Sequence, residues 1–168
     1  MSKLKIGIQK SGKLYNGSID LLTRADIKFD QTKNQLIHLS KNFPLEIYFL
    51  RNSDIPKYVE DGVLDIAIIG NNQLLESGSD IKITEKLGFS KCRLSLAILK
   101  EKLFSDIGFF ENKLIATSYP KSTKNFFNDL NISVRIHTIS GSVEIAPNIG
   151  LADGICDLVS TGSTLENN

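Results

Sequence analysis

The sequence predicts an α/β fold in two lobes with mostly parallel sheets, and three observations carry that prediction. Short apolar or alternating runs recur between stretches that begin with helix-start residues, in a strand–helix rhythm. The run Ile66–Ile69 is apolar at every position and ends on Gly70, the pattern of a strand covered on both faces of a parallel sheet. The rhythm resumes after residue 90 without any internal sequence repeat, so the crossing between lobes is expected near residues 90–100.

The elements follow in chain order. Lys3–Gln9 alternates and then turns at Ser11-Gly12, a strand feeding a helix whose apolar face is Leu14, Ile19, Leu21 and Leu22. Ile27–Leu39 holds two short alternating runs about Asp30–Asn34 and reads as a hairpin. Leu45–Arg51 is a strand. Asn52, Ser53 and Asp54 are helix caps and Pro56 suits a first turn, so a helix is expected through about Glu60. Gly78–Asp80 marks a turn. The second half reads as strands at Leu94–Leu99, Leu114–Thr117, Val134–Ile139 and Ile155–Val159, with helices from Pro120 to about Leu130 and from Val143 to about Ile149. Two such lobes place ligands in a cleft at the carboxyl ends of their strands.

Composition narrows the function classes. A chain of 168 residues makes one domain or two small lobes, and 41% hydrophobic residues can fill their cores. A net charge of +1, with no basic run interleaved with aromatics, gives no nucleic-acid footprint. No stretch approaches the roughly 20 apolar residues of a membrane span, and MSKLKIGI lacks the long apolar core of a signal peptide, so a cytoplasmic protein is expected. Cys92 and Cys156 stand apart among apolar residues and read as reduced, buried thiols. His38 and His137 are isolated and assemble no metal cluster by spacing.

The most informative stretch is Glu144–Leu165, EIAPNIGLADGICDLVSTGSTL. A short strand holding Asp157 runs into Ser160, Thr161, Gly162, Ser163 and Thr164, and a helix is expected to open at Leu165-Glu166. Unpaired backbone N–H groups, the helix dipole and hydroxyl donors make such a loop an anion cradle. Read alone, the loop is more often a capped polar turn, and it is not a Walker A loop. Asp153 and Asp157 stand just before it, where sugar hydroxyls or a metal would lie.

As a whole this stretch resembles the signature of the ATP phosphoribosyltransferases, through Glu144, Gly150, Ala152, Ile155, Asp157, Leu158, Thr161, Gly162, Thr164 and Leu165. Ile8–Leu14, Gly62–Asn72, Lys91–Ala97, Ile115–Pro120 and Ser140–Pro147 resemble further blocks of that family in the same order. The resemblance implies a two-lobed fold similar to type II periplasmic binding proteins, with lobe I over 1–92 and lobe II over 93–168. It implies that ATP and phosphoribosyl pyrophosphate become phosphoribosyl-ATP and pyrophosphate, in the first step of histidine biosynthesis. Adenine N1 attacks C1 of the ribose with inversion, and pyrophosphate leaves with Mg2+, the implied metal. A dimer is expected, with a hexamer for the long family form. By the same resemblance, a segment returning to lobe I and a histidine-sensing domain are missing, so histidine inhibition is expected to be absent.

Roles follow from the resemblance residue by residue. Ser160–Thr164 would hold the 5-phosphate. Asp153 and Asp157 are candidates for the ribose hydroxyls, with one of the two expected to face the site. Glu144 would be a magnesium or ribose ligand, or else a surface carboxylate. Lys10, Lys13 and Arg93 are the cations for pyrophosphate and the ATP phosphates, although Lys13 stands where many relatives carry the bidentate arginine, and Arg93 could instead pair with a surface carboxylate. Gln9 would bond base or phosphate and Asn71 would line the cleft at the substrate, while Asp65 is placed at the start of its strand. Tyr119 would stack on adenine, or pack as an ordinary tyrosine. The competing class is a two-lobed module that binds a small anion or effector without chemistry, which fold alone does not separate from an enzyme.

Overall fold

A computed structural model describes residues 3–32 and 35–159. The chain divides into two compact units, Met1–Ser90 and Lys91–Asn168.

In the first unit β1 (Leu4–Gln9) leads into α1 (Lys13–Arg24). β2 (Ile37–Leu39), β3 (Leu45–Leu50), α2 (Ile55–Glu60), β4 (Ile66–Ala67) and α3 (Asn71–Ser77) follow. The sheet order is β2-β3-β1-β4, with β1 parallel to β3 and β4, and β2 antiparallel to β3. Alternation sends Ile6 and Ile8 to one face, where they meet Leu45, Ile47, Phe49 and Leu22 of α1 in the core. Gly12 opens α1 at φ +87, a conformation that suits a residue without Cβ.

The second unit contains β5 (Arg93–Ala97), a 3₁₀ turn at Ile107–Phe110, β6 (Leu114–Thr117), α4 (Pro120–Asp129), β7 (Arg135–Thr138), a 3₁₀ turn at Val143–Ile145 and β8 (Gly154–Val159). Its order is β5-β8-β6-β7, with β6 parallel to β7 and β8, and β5 antiparallel to β8. On one face Phe110, Ile115, Phe127 and Cys156 form a core, and on the other Ala116, Val143, Ala146 and Ile155 form a second.

β8 threads this unit tightly at Gly154, where a Cβ would lie 2.9 Å from the Ala97 carbonyl oxygen and 3.1 Å from the Phe110 ring. Gly154→Ala is expected to destabilise the protein by about 1–3 kcal/mol, read as a lower urea midpoint at unchanged slope.

Four expectations are corrected. Residues 27–39 form no hairpin among the described residues. β2 pairs with β3 instead, while Ile27 and Phe29 pack on the core and Lys28 N–H donates to Asn42 Oδ1 at 2.9 Å. Burial and a side-chain tether outweigh the alternating pattern there. The run at Ile66 is a two-residue edge strand with Ile66 exposed, not a strand buried on both faces. The helix expected over Val143–Ile149 is a single 3₁₀ turn, because Pro147 supplies no amide and Gly150 turns the chain at φ +72. Cys92 is exposed, whereas Cys156 is buried.

Candidate functional site

Strand direction decides what gathers at the carboxyl edge of the second sheet. β6, β7 and β8 run parallel and end there at Thr117, Thr138 and Val159. β5 runs the other way, so its first residue, Arg93, lies opposite Val159 at the same edge. The Ser160–Thr164 loop lies outside the described residues and follows Val159 directly in sequence.

Asp157 stands two residues before the end of β8, opposite Ser95. It shares the parity of Ile155, and so faces the side of the sheet covered by Val143 and Ala146. Burial pushes its carboxyl above the ordinary 3.8, the Leu158 backbone N–H pulls it back, and the negative charge of Glu144 pushes it up again. Glu144 therefore acts on Asp157 from the 3₁₀ turn. Tyr119 is half-buried, immediately before Pro120 at the start of α4.

Asp153 is placed elsewhere. It precedes β8 at the opposite end from the loop, and its Oδ2 accepts the Leu114 amide at 2.9 Å while Lys113 Nζ lies 4.0 Å from Oδ1. Its backbone N–H donates to the Leu114 carbonyl at 2.8 Å. The six-residue strand β8 separates it from Arg93, which pairs with Val159 at the far end, a span of about 20 Å. The two aspartates share a face by parity, and distance along β8 separates them. Asp153 clamps the start of β6.

The first unit has an edge of the same kind. β1 ends at Gln9, and Lys10 N–H donates to the Leu50 carbonyl at 2.9 Å, which fixes the turn into Gly12 and Lys13. Asn71 opens α3 just past the end of β4. Asp65 accepts the Lys5 amide at 2.7 Å and so starts β4. Lys10 also borders a cavity of about 670 Å³ with Tyr15, Gln31, Gln35, His38 and Phe49. Sequence reasoning did not find that cavity, since its walls come from segments with no shared motif. His38 is buried, with both ring nitrogens at backbone carbonyls: Nδ1 2.7 Å from Asp30 O and Nε2 3.0 Å from Gln35 O. It is a strut of that wall.

Among the described residues no group of three or more His, Cys, Asp or Glu side chains could hold a metal ion, and no helix is long and apolar enough to cross a membrane.

Comparison with known proteins adds to this geometry. A family model described as ATP phosphoribosyltransferase matches residues 51–168. The ATP phosphoribosyltransferase of Parabacteroides distasonis is 50% identical over 165 residues, covering 98% of this chain and 58% of the relative. That of Cytophaga hutchinsonii is 48% identical over the same length, with the same coverage. The chain thus spans little more than half the length of these relatives. A solved chain of the ATP phosphoribosyl transferase (HisG:HisZ) complex from Thermotoga maritima superposes with a TM-score of 0.81 at 31% identity, covering 98% of this chain and 79% of that one. A family match over most of the sequence and a shared fold along nearly all of it establish that this chain belongs to the ATP phosphoribosyltransferase family.

Proposed function

We propose that this chain carries the ATP phosphoribosyltransferase reaction: adenine N1 of ATP displaces pyrophosphate from C1 of phosphoribosyl pyrophosphate, with inversion. The N1–C1 bond forms as the C1–oxygen bond to pyrophosphate breaks, and its electron pair leaves with pyrophosphate. The observation that carries the reading is the carboxyl edge of the second sheet, which brings Arg93 and Asp157 to the strand end from which the family's hydroxyl-rich loop departs. Such edges are where open α/β sheets bind ligands.

In this reading Ser160, Thr161, Gly162, Ser163 and Thr164 receive the 5-phosphate through backbone and hydroxyl donors. Asp157 accepts from the ribose hydroxyls, and its negative charge favours the oxocarbenium-like centre that develops at C1. Arg93 offers a planar cation to the leaving pyrophosphate. Tyr119 stands at the same edge as a stacking surface for adenine. In the first unit Lys10 and Lys13 are the proposed cations for ATP phosphates, with Gln9 and Asn71 as hydrogen-bonding neighbours. Asp153, bonded to β6, is left out.

Magnesium enters as part of the substrate. Mg2+ keeps most of its waters and takes one or two carboxylates together with phosphate oxygens. The pair Asp157 and Glu144 fits that pattern, with Glu144 the one closer to a metal-ligand role because Asp157 serves the sugar. The expected setting is the cytoplasm, and the expected assembly is a homo-oligomer built on a dimer.

Calorimetric titration with phosphoribosyl pyrophosphate and Mg2+ tests the reading. The chain is expected to bind, and Thr164→Ala to bind about tenfold more weakly, the loss of one hydrogen bond to a charged group. A folded chain that shows no heat with this ligand, and forms no phosphoribosyl-ATP, refutes it.

A further inference from the structure

Thr117 ends β6, is fully buried, and follows Ile115 and Ala116 in a run where valine would be the ordinary choice. A buried hydroxyl is costly unless its bonds are made, so what this one touches is informative. Its Oγ1 donates to the Cys156 carbonyl of β8 at 2.7 Å and accepts the Tyr119 backbone N–H at 2.9 Å. Thr123 of α4 completes the group: its backbone N–H and its Oγ1 both donate to the Tyr119 carbonyl, at 2.9 and 2.7 Å, and its Oγ1 lies 3.3 Å from that of Thr117.

The placement of these bonds matters more than their number. Cys156 immediately precedes Asp157, and Tyr119 immediately precedes α4. The described ladder between β6 and β8 ends with the pair Thr117 and Cys156. Beyond that pair the Thr117 hydroxyl connects the two strands, at the point where the residues assigned to ligand binding begin. It holds the peptide leading to Asp157 and the peptide of Tyr119 on one oxygen atom.

We propose that Thr117 is a positioning residue for the phosphoribosyl site: its hydroxyl sets the spacing between Asp157 on β8 and Tyr119 at the mouth of α4. The proposal rests on the reading given under Proposed function and adds a residue that never touches the ligand. Valine fills the same volume and supplies neither bond, so Tyr119 N–H and Cys156 O separate. Serine keeps the oxygen and removes only a methyl group.

The test uses Thr117→Val and Thr117→Ser with two readouts. The first is the affinity for phosphoribosyl pyrophosphate with Mg2+. It is expected to fall about tenfold in the valine variant and to return within about twofold of the parent in the serine variant, although serine also lowers the melting temperature. The second needs no ligand: amide hydrogen exchange in the valine variant is expected to accelerate at both Tyr119 and Leu158, whose N–H bonds Asp157. Parent-like affinity in the valine variant, or serine weakening binding as much as valine does, overturns the proposal and leaves the transferase reading standing. Faster exchange at Tyr119 with Leu158 unchanged also overturns it, because Thr117 would then act on its own turn alone. Should the parent bind no phosphoribosyl pyrophosphate, the reading of the site fails, and the exchange pattern still decides whether Thr117 couples the two peptides.

Discussion

Asp157→Asn is expected to stabilise the protein at neutral pH while weakening phosphoribosyl pyrophosphate binding by about 10–150-fold, the worth of a hydrogen bond to a charged group. The two effects share one cause. Burial raises the Asp157 carboxyl, and the Glu144 charge adds to it, against the Leu158 amide. A carboxyl whose folded pKa lies above its unfolded value binds its proton more tightly when folded, so its contribution to stability is present in full below about pH 4 and is lost as pH rises through the raised value. Above that the ionised group is a standing cost. Asparagine is neutral throughout. Urea unfolding of both proteins across a pH series checks this: the advantage of the variant should be small at the acid end and grow toward neutrality. An asparagine variant less stable than the parent at every pH would show that the Leu158 bond outweighs burial.

Phe127→Ala is expected to cost about 3–5 kcal/mol, lowering the melting temperature by roughly 10 °C or more. Phe127 is fully buried on α4, with its ring 5.5 Å from that of Phe110 and 5.3 Å from that of Phe126. The Phe110 contact joins α4 to the 3₁₀ turn before β6, so the truncation leaves a cavity between elements that do not collapse onto one another easily. Phe127→Leu keeps most of the volume and should cost about 1 kcal/mol. Scanning calorimetry of the pair separates lost volume from lost aromatic contact.

Much of the second unit was legible because its strands end on informative residues. Leu114–Thr117 and the helix opened by Pro120 appear as read, since apolar strand, turn and proline agree there. The motif around Asp157 was legible through its resemblance to the family's signature, and not from the loop alone. The direction of β5 was not. Residues 93–97 read as a strand in either orientation, and only pairing with β8 puts Arg93 at the carboxyl edge. The bond from Leu114 N–H to Asp153 was not legible, because it depends on where β8 begins, which composition does not mark. Thr117 was invisible for the opposite reason. A threonine in a strand is unremarkable until its hydroxyl is seen bonding both β8 and the turn that follows its own strand. Residues 27–39 failed because the alternation there serves packing and a side-chain tether to Asn42, not a ladder.

The strand order β5-β8-β6-β7 has a consequence for how such a chain is made. β8 comes last among the described strands, yet it sits between β5 and β6. A ribosome that has released the chain only as far as residue 153 has delivered β5, β6 and β7 with the central place empty. The edges of β5 and β6 that flank β8 then stay unpaired, and unpaired edges recruit other chains. A stalled or prematurely ended product is therefore an aggregation hazard more than a feeble enzyme. Arg93 and Asp157 share one edge only once β8 is in place, so the proposed binding edge and the described sheet are completed in one step.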